Sequence, residues 1–336
     1  MRRVLHVDLS PRYRGGQRQL RLLAVAQQQQ GTDAPTVVTA SELLREQLRS
    51  EGVPAIRVSA NPVLALPRIR RLVAQSEILH AHEARAHGLL RAARGKGLVV
   101  HRRIDDPPSP RRTTRWKYAA GTVLCVSEAV RSAMRTFGVP EERLRVVYSA
   151  APSSESLEHV AEAGPLRVLA LGALVEHKGH LDLVQAVRHL DVPVVVDVVG
   201  GGPLRRSLEQ DARPLPIRFL GDPRGVMPRF ETYDLLVHPS RTEGLGTATL
   251  DAQVAGLPVL ATTAGGLPEA VAPSGWLVAP QSPRALAAQL AAIAALPRQE
   301  LRARGAAARQ WASRRFSVAR MRDEVAAVYA DVDSLK

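Results

Sequence analysis

Two acidic residues stand on either side of a glycine-rich turn in the second half of the chain. Glu243 directly precedes Gly244-Leu245-Gly246, and Asp251 lies on the segment 247–255, which the pattern predicts to be helical. Backbone N–H groups at such a helix start are unpaired and the helix dipole adds positive charge, so the turn suits a phosphate group. A carboxylate beside it suits a sugar hydroxyl, and an acid one turn into the helix can reach a ribose diol. Taken alone, an ordinary strand-to-helix turn explains the glycines, and an exposed helix acid explains Asp251.

Two further segments place groups that suit an anion at the start of a predicted helix. Lys178 precedes Gly179 between a strand and a helix, and a lysine ammonium is a good point charge for a diphosphate. A surface lysine is the alternative, although nearly all the basic residues of this chain are arginines. Gly15 and Gly16 separate the first predicted strand from the first helix, without the G-x-G-x-x-G pattern of dinucleotide-binding folds. Each turn alone is weak evidence for a phosphate site.

The composition of the chain limits the classes of protein to which it can belong. Its 336 residues are 45% apolar, enough for two domains with a sizeable core. An excess of 46 basic over 32 acidic side chains favours a phosphate-bearing substrate, a nucleic acid or an acidic membrane surface as partner, although a general arginine bias also explains it. The single cysteine, Cys125, excludes an internal disulfide framework and a cysteine-based zinc cluster. The N-terminus lacks the apolar core of a signal peptide and no run is long enough to span a membrane, so we expect a cytoplasmic protein, peripheral on the inner face of the membrane if it contacts one.

Short apolar runs that alternate with longer amphipathic segments must position these residues. Each half of the chain has six such runs rich in Val, Ile and Leu, and this alternation predicts parallel sheets covered on both faces. Twelve strands are many for one sheet, so we expect an α/β protein with two sheets of about six strands in two domains. Pro, Ser and acid clusters over 150–165 predict the interdomain linker there. Apolar residues at helical spacing predict a docked helix at the C-terminus.

Seen together, these segments resemble family 4 of the retaining glycosyltransferases, which have the GT-B fold. The resemblance implies two Rossmann-like domains that face each other across a cleft, with the nucleotide sugar bound mostly by the second domain and the acceptor mostly by the first. It implies an N-terminal domain over residues 1–155, a nucleotide-sugar-binding domain over 156–315 and a final helix over 316–336 that returns to the first domain. The segments that carry it include "RGGQRQL", "VVHRRID", "LGALVEHKGHLDLVQAV", "VVGGGPL" and, most specifically, "HPSRTEGLGTATLDAQVAGLPVLATTAGGLPEAV".

Matched position by position, the resemblance implies a role for each residue singled out. Glu243 matches the first acid of the family's E-x7-E motif and is expected on the donor sugar, while Asp251 matches the second acid, expected on the ribose. Lys178 and Gly16 match residues that contact the donor diphosphate. His101 matches a histidine near the donor sugar, for which a structural role is an equal alternative. The expected catalytic residues are Glu243, Lys178 and His101, and the expected donor-binding residues are Gly15, Gly16, Gly244, Leu245, Gly246, Thr247 and Asp251, with no metal site.

The resemblance therefore implies a metal-independent retaining glycosyltransferase without a cofactor. It would move a sugar from a nucleoside-diphosphate sugar to a hydroxyl of an envelope glycan or glycolipid. The basic segment 101–118, with Trp116 and Tyr118, is either a solvated loop or a lip that meets an anionic membrane.

Two departures from the family pattern bear on activity. Ala173 stands where the family has an arginine on the diphosphate, and Asp251 is shorter than the family's glutamate. A non-catalytic nucleotide-sugar-binding protein and an epimerase of the same fold remain as alternatives. Few aromatic residues and no nucleic-acid-binding motif disfavour nucleic acid as a partner.

Overall fold

The computed structural model describes residues 1–93, 97–153, 164–221 and 229–334. It divides the chain into two compact units, the first consisting of Met1–Ala150 with Val318–Lys336 and the second of Ala151–Ser317. Each unit is a parallel α/β sheet covered by helices, so the prediction of two parallel-sheet α/β domains is confirmed. Most of the predicted linker falls on residues 154–163 and lies outside the described residues.

Unit 1 contains a seven-stranded sheet in the order β3-β2-β1-β4-β5-β6-β7, with every described strand pair parallel. The strands are β1 Arg2–Asp8, β2 Asp33–Thr39, β3 Ala55–Arg57, β4 Ile78–Ala81, β5 Leu98–Arg102, β6 Thr122–Cys125 and β7 Leu144–Val146. The helices are α1 Gly15–Gln30, α2 Glu42–Ser50, α3 Pro62–Val73, α4 Ala84–Ala92, α5 Arg112–Tyr118, α6 Glu128–Phe137 and, from the end of the chain, α13 Val318–Ser334.

Unit 2 contains a six-stranded parallel sheet in the order β10-β9-β8-β11-β12-β13. The strands are β8 Leu166–Leu171, β9 Val194–Val199, β10 Ile217–Gly221, β11 Leu235–His238, β12 Val259–Thr262 and β13 Trp276–Val278. The helices are α7 His180–Arg188, α8 Arg205–Asp211, α9 Thr247–Val254, α10 Leu267–Ala270, α11 Pro283–Ala294 and α12 Arg298–Arg315.

Alternation along the strands of unit 2 supplies a separate core on each face of its sheet. Leu235 and Val237 of β11 belong to the core beneath α7, α8 and α11, whereas Leu236 between them belongs to the core beneath α9 and α10. Successive side chains of a strand point to opposite faces, so a strand buried on both sides reads as an uninterrupted apolar run. This is why the strands of unit 2 could be recognised in the sequence.

The strand that sequence analysis missed is β3, which brings unit 1 to seven strands. It has three residues, Ala55–Arg57, and pairs only with β2 at the edge of the sheet. A short edge strand with one large apolar residue, Ile56, has no periodicity to detect.

Helix α13 packs within unit 1 against α1 and the central strands. Met321, Val325, Val328 and Tyr329 are buried there beside Leu23 of α1. Three of these residues follow from the apolar spacing of the sequence, whereas Tyr329 was not predicted. Among the described helices, none combines the length and the apolar character needed to cross a membrane.

Candidate active site

The strand order of unit 2 places two loops side by side at the carboxyl edge of its sheet. β8 lies between β9, which follows it in the chain, and β11, which comes later, so the connections leave β8 and β11 in opposite directions. Open α/β sheets bind ligands at such a switch point, outside the carboxyl ends of the strands. The loop after β8 carries Lys178 and the loop after β11 carries Glu243.

A glycine allows the β8 loop to lie directly on the end of β11. Gly179 has a φ of +66°, and a Cβ at this position would lie 1.9 Å from the carbonyl oxygen of Pro239. Any other residue would therefore clash with backbone as well as adopt a disfavoured conformation. This close contact sets the position of Lys178, the preceding residue, against the β11 loop.

The carboxylate of Glu243 accepts three hydrogen bonds on one oxygen. Lys178 Nζ, His238 Nε2 at 3.0 Å and Ser240 Oγ at 3.3 Å all donate to Oε2. Burial favours the neutral acid, but the charge of Lys178 and the bond from His238 outweigh it and hold the pKa of Glu243 well below its ordinary value. Burial lowers the pKa of His238, so the imidazole is neutral when it donates. Glu243 is thus a fixed anion directly beside a cation.

A second ion pair ties the two loops together, and sequence analysis did not identify it. Arg241 donates from Nε and Nη2 to both carboxylate oxygens of Asp182, at 3.0 and 2.8 Å, and the Asp182 carboxylate is buried on α7. The backbone N–H of Arg241 also donates to the carbonyl of His177 at 2.8 Å. Arg241 therefore fixes the distance between the segment carrying Lys178 and the segment carrying Glu243.

The predicted glycine turn leads from Glu243 into the first turn of α9. Gly244, Leu245 and Gly246 are buried, and Gly246 forms the N-cap of α9 with a φ of +86°. No side chain caps this helix end within the described structure, so its dipole and the N–H groups of its first turn face out of the helix beside Thr247. This is the geometry that accepts a phosphate oxygen.

Asp251 is buried rather than exposed, with 8% of its surface accessible. It lies in the second turn of α9, the same helix that begins at the glycine turn. A buried carboxylate must be paired or hydrogen-bonded, so Asp251 is not the solvated helix acid that the sequence alone allows.

In unit 1 the turn between β1 and α1 is held by side chains rather than by glycine conformation. Gln17 donates to Asp8 at 2.9 Å and accepts from the backbone N–H of Arg14 at 3.0 Å. Gly15 is exposed, and a Cβ on Gly16 would make ordinary contact with Arg103, 3.6 Å away. Both glycines have a negative φ, so small size rather than backbone freedom distinguishes them.

His101 lies on β5 of unit 1 within a cluster of buried imidazoles that sequence analysis missed. His6, His80 and His82 place one ring nitrogen each within 4.8 Å of one another, the one group of potential metal ligands found among the described residues. The spacing of His80 and His82 puts both on one face of the sheet, which is the signal that could have revealed the cluster.

The aromatic residues predicted to form a membrane-facing lip differ in exposure. Trp116 on α5 is 45% exposed, with the guanidinium of Arg91 over its ring, whereas Tyr118 is 7% exposed and packs against His87 and Phe137. Tyr118 is therefore a core residue and not part of an exposed surface. Tyr118 is the last residue of α5, a helix of about two turns that is too short for its burial to be predicted from periodicity.

Two protein families match the chain, one in each unit. The family described as Glycosyltransferase Family 4 matches residues 13–153, and the family described as Glycosyl transferases group 1 matches residues 165–295. The matches follow each other without overlap.

Individual relatives match over shorter stretches. WcaL of Escherichia coli strain K12, whose name assigns it to colanic acid biosynthesis, is 29% identical over 198 residues, which are 53% of this chain and 49% of that protein. The D-inositol 3-phosphate glycosyltransferase of Corynebacterium urealyticum is 38% identical over 135 residues, 35% of this chain and 32% of that protein. The matched part of this chain thus spans about half the length of WcaL and about a third of the length of the Corynebacterium protein.

A solved structure of Alr3699/HepE from Anabaena, in complex with UDP-glucose, shares the fold. It superposes with a TM-score of 0.83 at 20% identity and covers 98% of this chain and 99% of the other.

Proposed function

Because the chain belongs to the family 4, or group 1, glycosyltransferases, we propose that it transfers a sugar from a nucleoside-diphosphate sugar to a hydroxyl group of an envelope glycan or glycolipid. The transfer proceeds without a metal and retains the configuration of the anomeric carbon. The acceptor class is supported by the name of WcaL, and a nucleoside-diphosphate sugar as donor by the UDP-glucose complex of the Anabaena protein.

One observation carries this proposal: the convergence of Lys178, Glu243 and the first turn of α9 at the switch point of unit 2. A sugar leaves its nucleotide as negative charge grows on the diphosphate oxygen. The ammonium of Lys178 and the N–H groups near Thr247 offer fixed positive charge to that oxygen, which is preorganised electrostatic stabilisation. Glu243, whose low pKa keeps it ionised, offers its carboxylate to a sugar hydroxyl and orients Lys178.

These groups also account for transfer without a metal. Lys178 supplies an ammonium donor, whose charge Glu243 partly balances, and the dipole of α9 supplies a partial positive charge. Ala173, which replaces the family's arginine, removes one cation from this set. Lys178 then carries a larger share of the stabilisation, so its loss should lower turnover by about 10²–10³-fold.

A glycolipid acceptor would bring the protein into contact with a membrane. Trp116 and Ile104 are exposed apolar residues, 45% and 55% accessible, within the basic segment 101–118 of unit 1. Aromatic and aliphatic side chains among arginines suit the interface of an anionic bilayer. We place the transfer at the cytoplasmic side of such a bilayer, where a glycolipid acceptor is presented.

A thermal-shift screen of UDP-, GDP- and ADP-sugars, followed by an assay for product, tests the proposal. A donor present at about 100 times its dissociation constant adds about 2.7 kcal/mol of apparent stability. We expect one nucleotide to stabilise the protein, transfer that persists in EDTA, and an anomeric proton in the product with the configuration of the donor.

The alternatives give different results in the same assay. Binding without product in the presence of acceptor extracts identifies a non-catalytic binding protein, and a changed sugar on the nucleotide identifies an epimerase. Lys178→Ala should retain the fold of unit 2 and lower turnover by about 10²–10³-fold, and wild-type turnover in this variant would end the proposal.

A further inference from the structure

Two buried histidines among the described residues have no hydrogen bond at either ring nitrogen. His87 on α4 is 1% exposed and His180 on α7 is 4% exposed, and neither Nδ1 nor Nε2 of either ring has a partner within the described structure. An unpaired polar group in the interior costs stability, so each one in a folded protein needs an explanation. The proposed function uses neither of these two side chains.

The two rings differ in their surroundings. His87 packs edge-on against Tyr118 in unit 1, with ring centroids 4.8 Å apart. His180 lies at the edge of unit 2 that carries the candidate site, two residues after Lys178. A Cβ at Gly172, in the loop after β8, would lie 3.7 Å from His180 Nε2 and 3.9 Å from Lys178 Cδ. The imidazole and the lysine side chain therefore lie beside the same glycine.

The start of α7 is suited to an anion. The helix has nine residues and begins at His180, and its N-cap, Gly179, has no side chain to bond the N–H groups of the first turn. The helix dipole adds partial positive charge at this end, next to the ammonium of Lys178. A negatively charged ligand at this place would lie close to the unbonded imidazole.

The surroundings of His180 keep its imidazole neutral. Burial lowers the pKa of His180 to about 4, and the charges of His238 and Lys178 contribute to this shift. The backbone of Ala173 and Gly172 acts in the opposite direction, because a carbonyl that accepts a hydrogen bond from an imidazolium favours its charged form. A protonated ring would thus find acceptors in the loop after β8.

The carboxylates of the same segments are held by other cations. Glu243 is bound by Lys178, Asp182 is bound by both donors of Arg241, and the exposed Glu176 lies 3.5 Å from the same guanidinium. A diphosphate at this edge would add negative charge beside the ring. Because a nearby opposite charge favours the charged form, such a ligand should raise the pKa of the imidazole.

We propose that His180 is a positioning residue of the donor site, neutral before the nucleotide sugar binds and protonated from solvent once the diphosphate lies beside Lys178. The protonated ring donates hydrogen bonds to the backbone carbonyls of Gly172 and Ala173, and so holds the loop after β8 against the start of α7. This inference rests on the proposed function for the identity of the ligand. It also gives the site a second cation, where Ala173 stands in place of an arginine.

Calorimetric titration of the full-length protein, in buffers of different ionisation enthalpy, counts the protons taken up when the nucleotide sugar found in the screen binds. The phosphates of a nucleotide sugar lack the second ionisation that gives a phosphate monoester a pKa of about 6, so the protons counted belong to the protein. We expect uptake of more than about half a proton at pH 6 and close to none at pH 8. The affinity should then be at least about threefold higher at pH 6 than at pH 8.

A matched pair of variants assigns the proton. His180→Gln places a neutral amide at the start of α7, whereas His87→Gln removes the other unbonded imidazole, in unit 1. We expect His180→Gln to bind without proton uptake and with the same affinity at both pH values, and His87→Gln to keep the proton uptake of the wild type. Uptake that persists in His180→Gln would belong to another group, such as His238, and would refute the inference.

Nitrogen-15 spectra of the wild-type protein, labelled at histidine, test the same point without a substitution, because both ring nitrogens carry a proton only in the cation. We expect His180 to be neutral at pH 6 without the nucleotide sugar and cationic with it. A ring that stays neutral in the complex would overturn the inference and leave the proposed function standing. A protein that binds no nucleotide sugar would end both.

Discussion

Separating Arg241 from Asp182 tests whether the loops carrying Lys178 and Glu243 behave as one rigid unit. The guanidinium meets both carboxylate oxygens at 2.8 and 3.0 Å, and the Asp182 side chain is only 7% exposed. Removing one partner of a buried ion pair costs about 3–5 kcal/mol because the other charge stays buried. The Arg241 side chain is 23% exposed, so water screens part of the loss. We expect Arg241→Ala to destabilise unit 2 by about 2–3 kcal/mol.

The measurement is urea-dependent hydrogen exchange of peptides from unit 2, which separates its unfolding from that of unit 1. The matched control is Arg205→Ala, which breaks an exposed pair with Glu209 whose side chains are 45% and 40% accessible. An exposed helical pair contributes about 0.3–0.5 kcal/mol, so the control should change little. In a double-mutant cycle, Arg241→Ala with Asp182→Ala should be less destabilised than the sum of the two single variants, by a coupling energy of at least about 1 kcal/mol.

The ion pair between Arg241 and Asp182 also predicts a loss of transfer that exceeds any loss of stability. A displacement of Lys178 by about 1 Å can lower turnover 10²-fold, so Arg241→Ala should show this loss at temperatures where it remains folded. If Arg241→Ala is no less stable than Arg205→Ala and turns over at the wild-type rate, the loops are positioned by something else and the reasoning fails.

Three further changes have expected outcomes. Gly246→Ala places a Cβ 2.6 Å from the side chain of Leu267 at a φ of +86°, whereas Gly256→Ala, at a similar φ of +91°, places it in open space. Calorimetry should show Gly246→Ala to be less stable than Gly256→Ala by about 1 kcal/mol or more, and equal melting temperatures would contradict this. The pKa of Glu243 is lower in the folded protein than its unfolded value of about 4.3, so the ionised carboxylate stabilises the protein above that unfolded pKa. This stability is lost as the pH falls through the folded pKa, so Glu243→Gln should lose less stability than the wild type between pH 5 and 2 in acid titrations. A parallel loss in the two proteins would count against the low pKa. Trp116→Ala should reduce cosedimentation with phosphatidylglycerol vesicles and not with neutral ones, and unchanged sedimentation would remove the membrane contact.

Much of unit 2 could be predicted because its chemistry is local in sequence. Glu243 and the glycine turn are contiguous, and Lys178 lies in the loop after β8, a strand that is apolar except for Arg167. Both follow the carboxyl ends of neighbouring strands, and parallel strands bring those ends to one edge. Their proximity therefore follows from strand order, whereas the alternating pattern of strands and helices predicts only that the strands are parallel.

The residues that escaped prediction depend on contacts between distant segments. Asp182 appeared as one more polar residue of an amphipathic helix, and only the fold places Arg241, 59 positions later, against it. His6 and His80 interrupt apolar strands, and Tyr329 is separated from His80 by 249 positions. Spacing rules describe one helix or strand at a time, so they can pair His80 with His82 but cannot identify the whole polar network assembled from β1, β4, β5 and α13.

A crystal structure with the bound nucleoside diphosphate of the best donor is the most direct measurement. We predict diphosphate oxygens within hydrogen-bonding distance of Lys178 Nζ and of backbone N–H groups at Gly246 or Thr247, with the ribose diol turned toward Asp251. A nucleotide bound away from the ends of β8 and β11, with Lys178 still paired only with Glu243, would contradict the assignment of this edge of the sheet as the donor site.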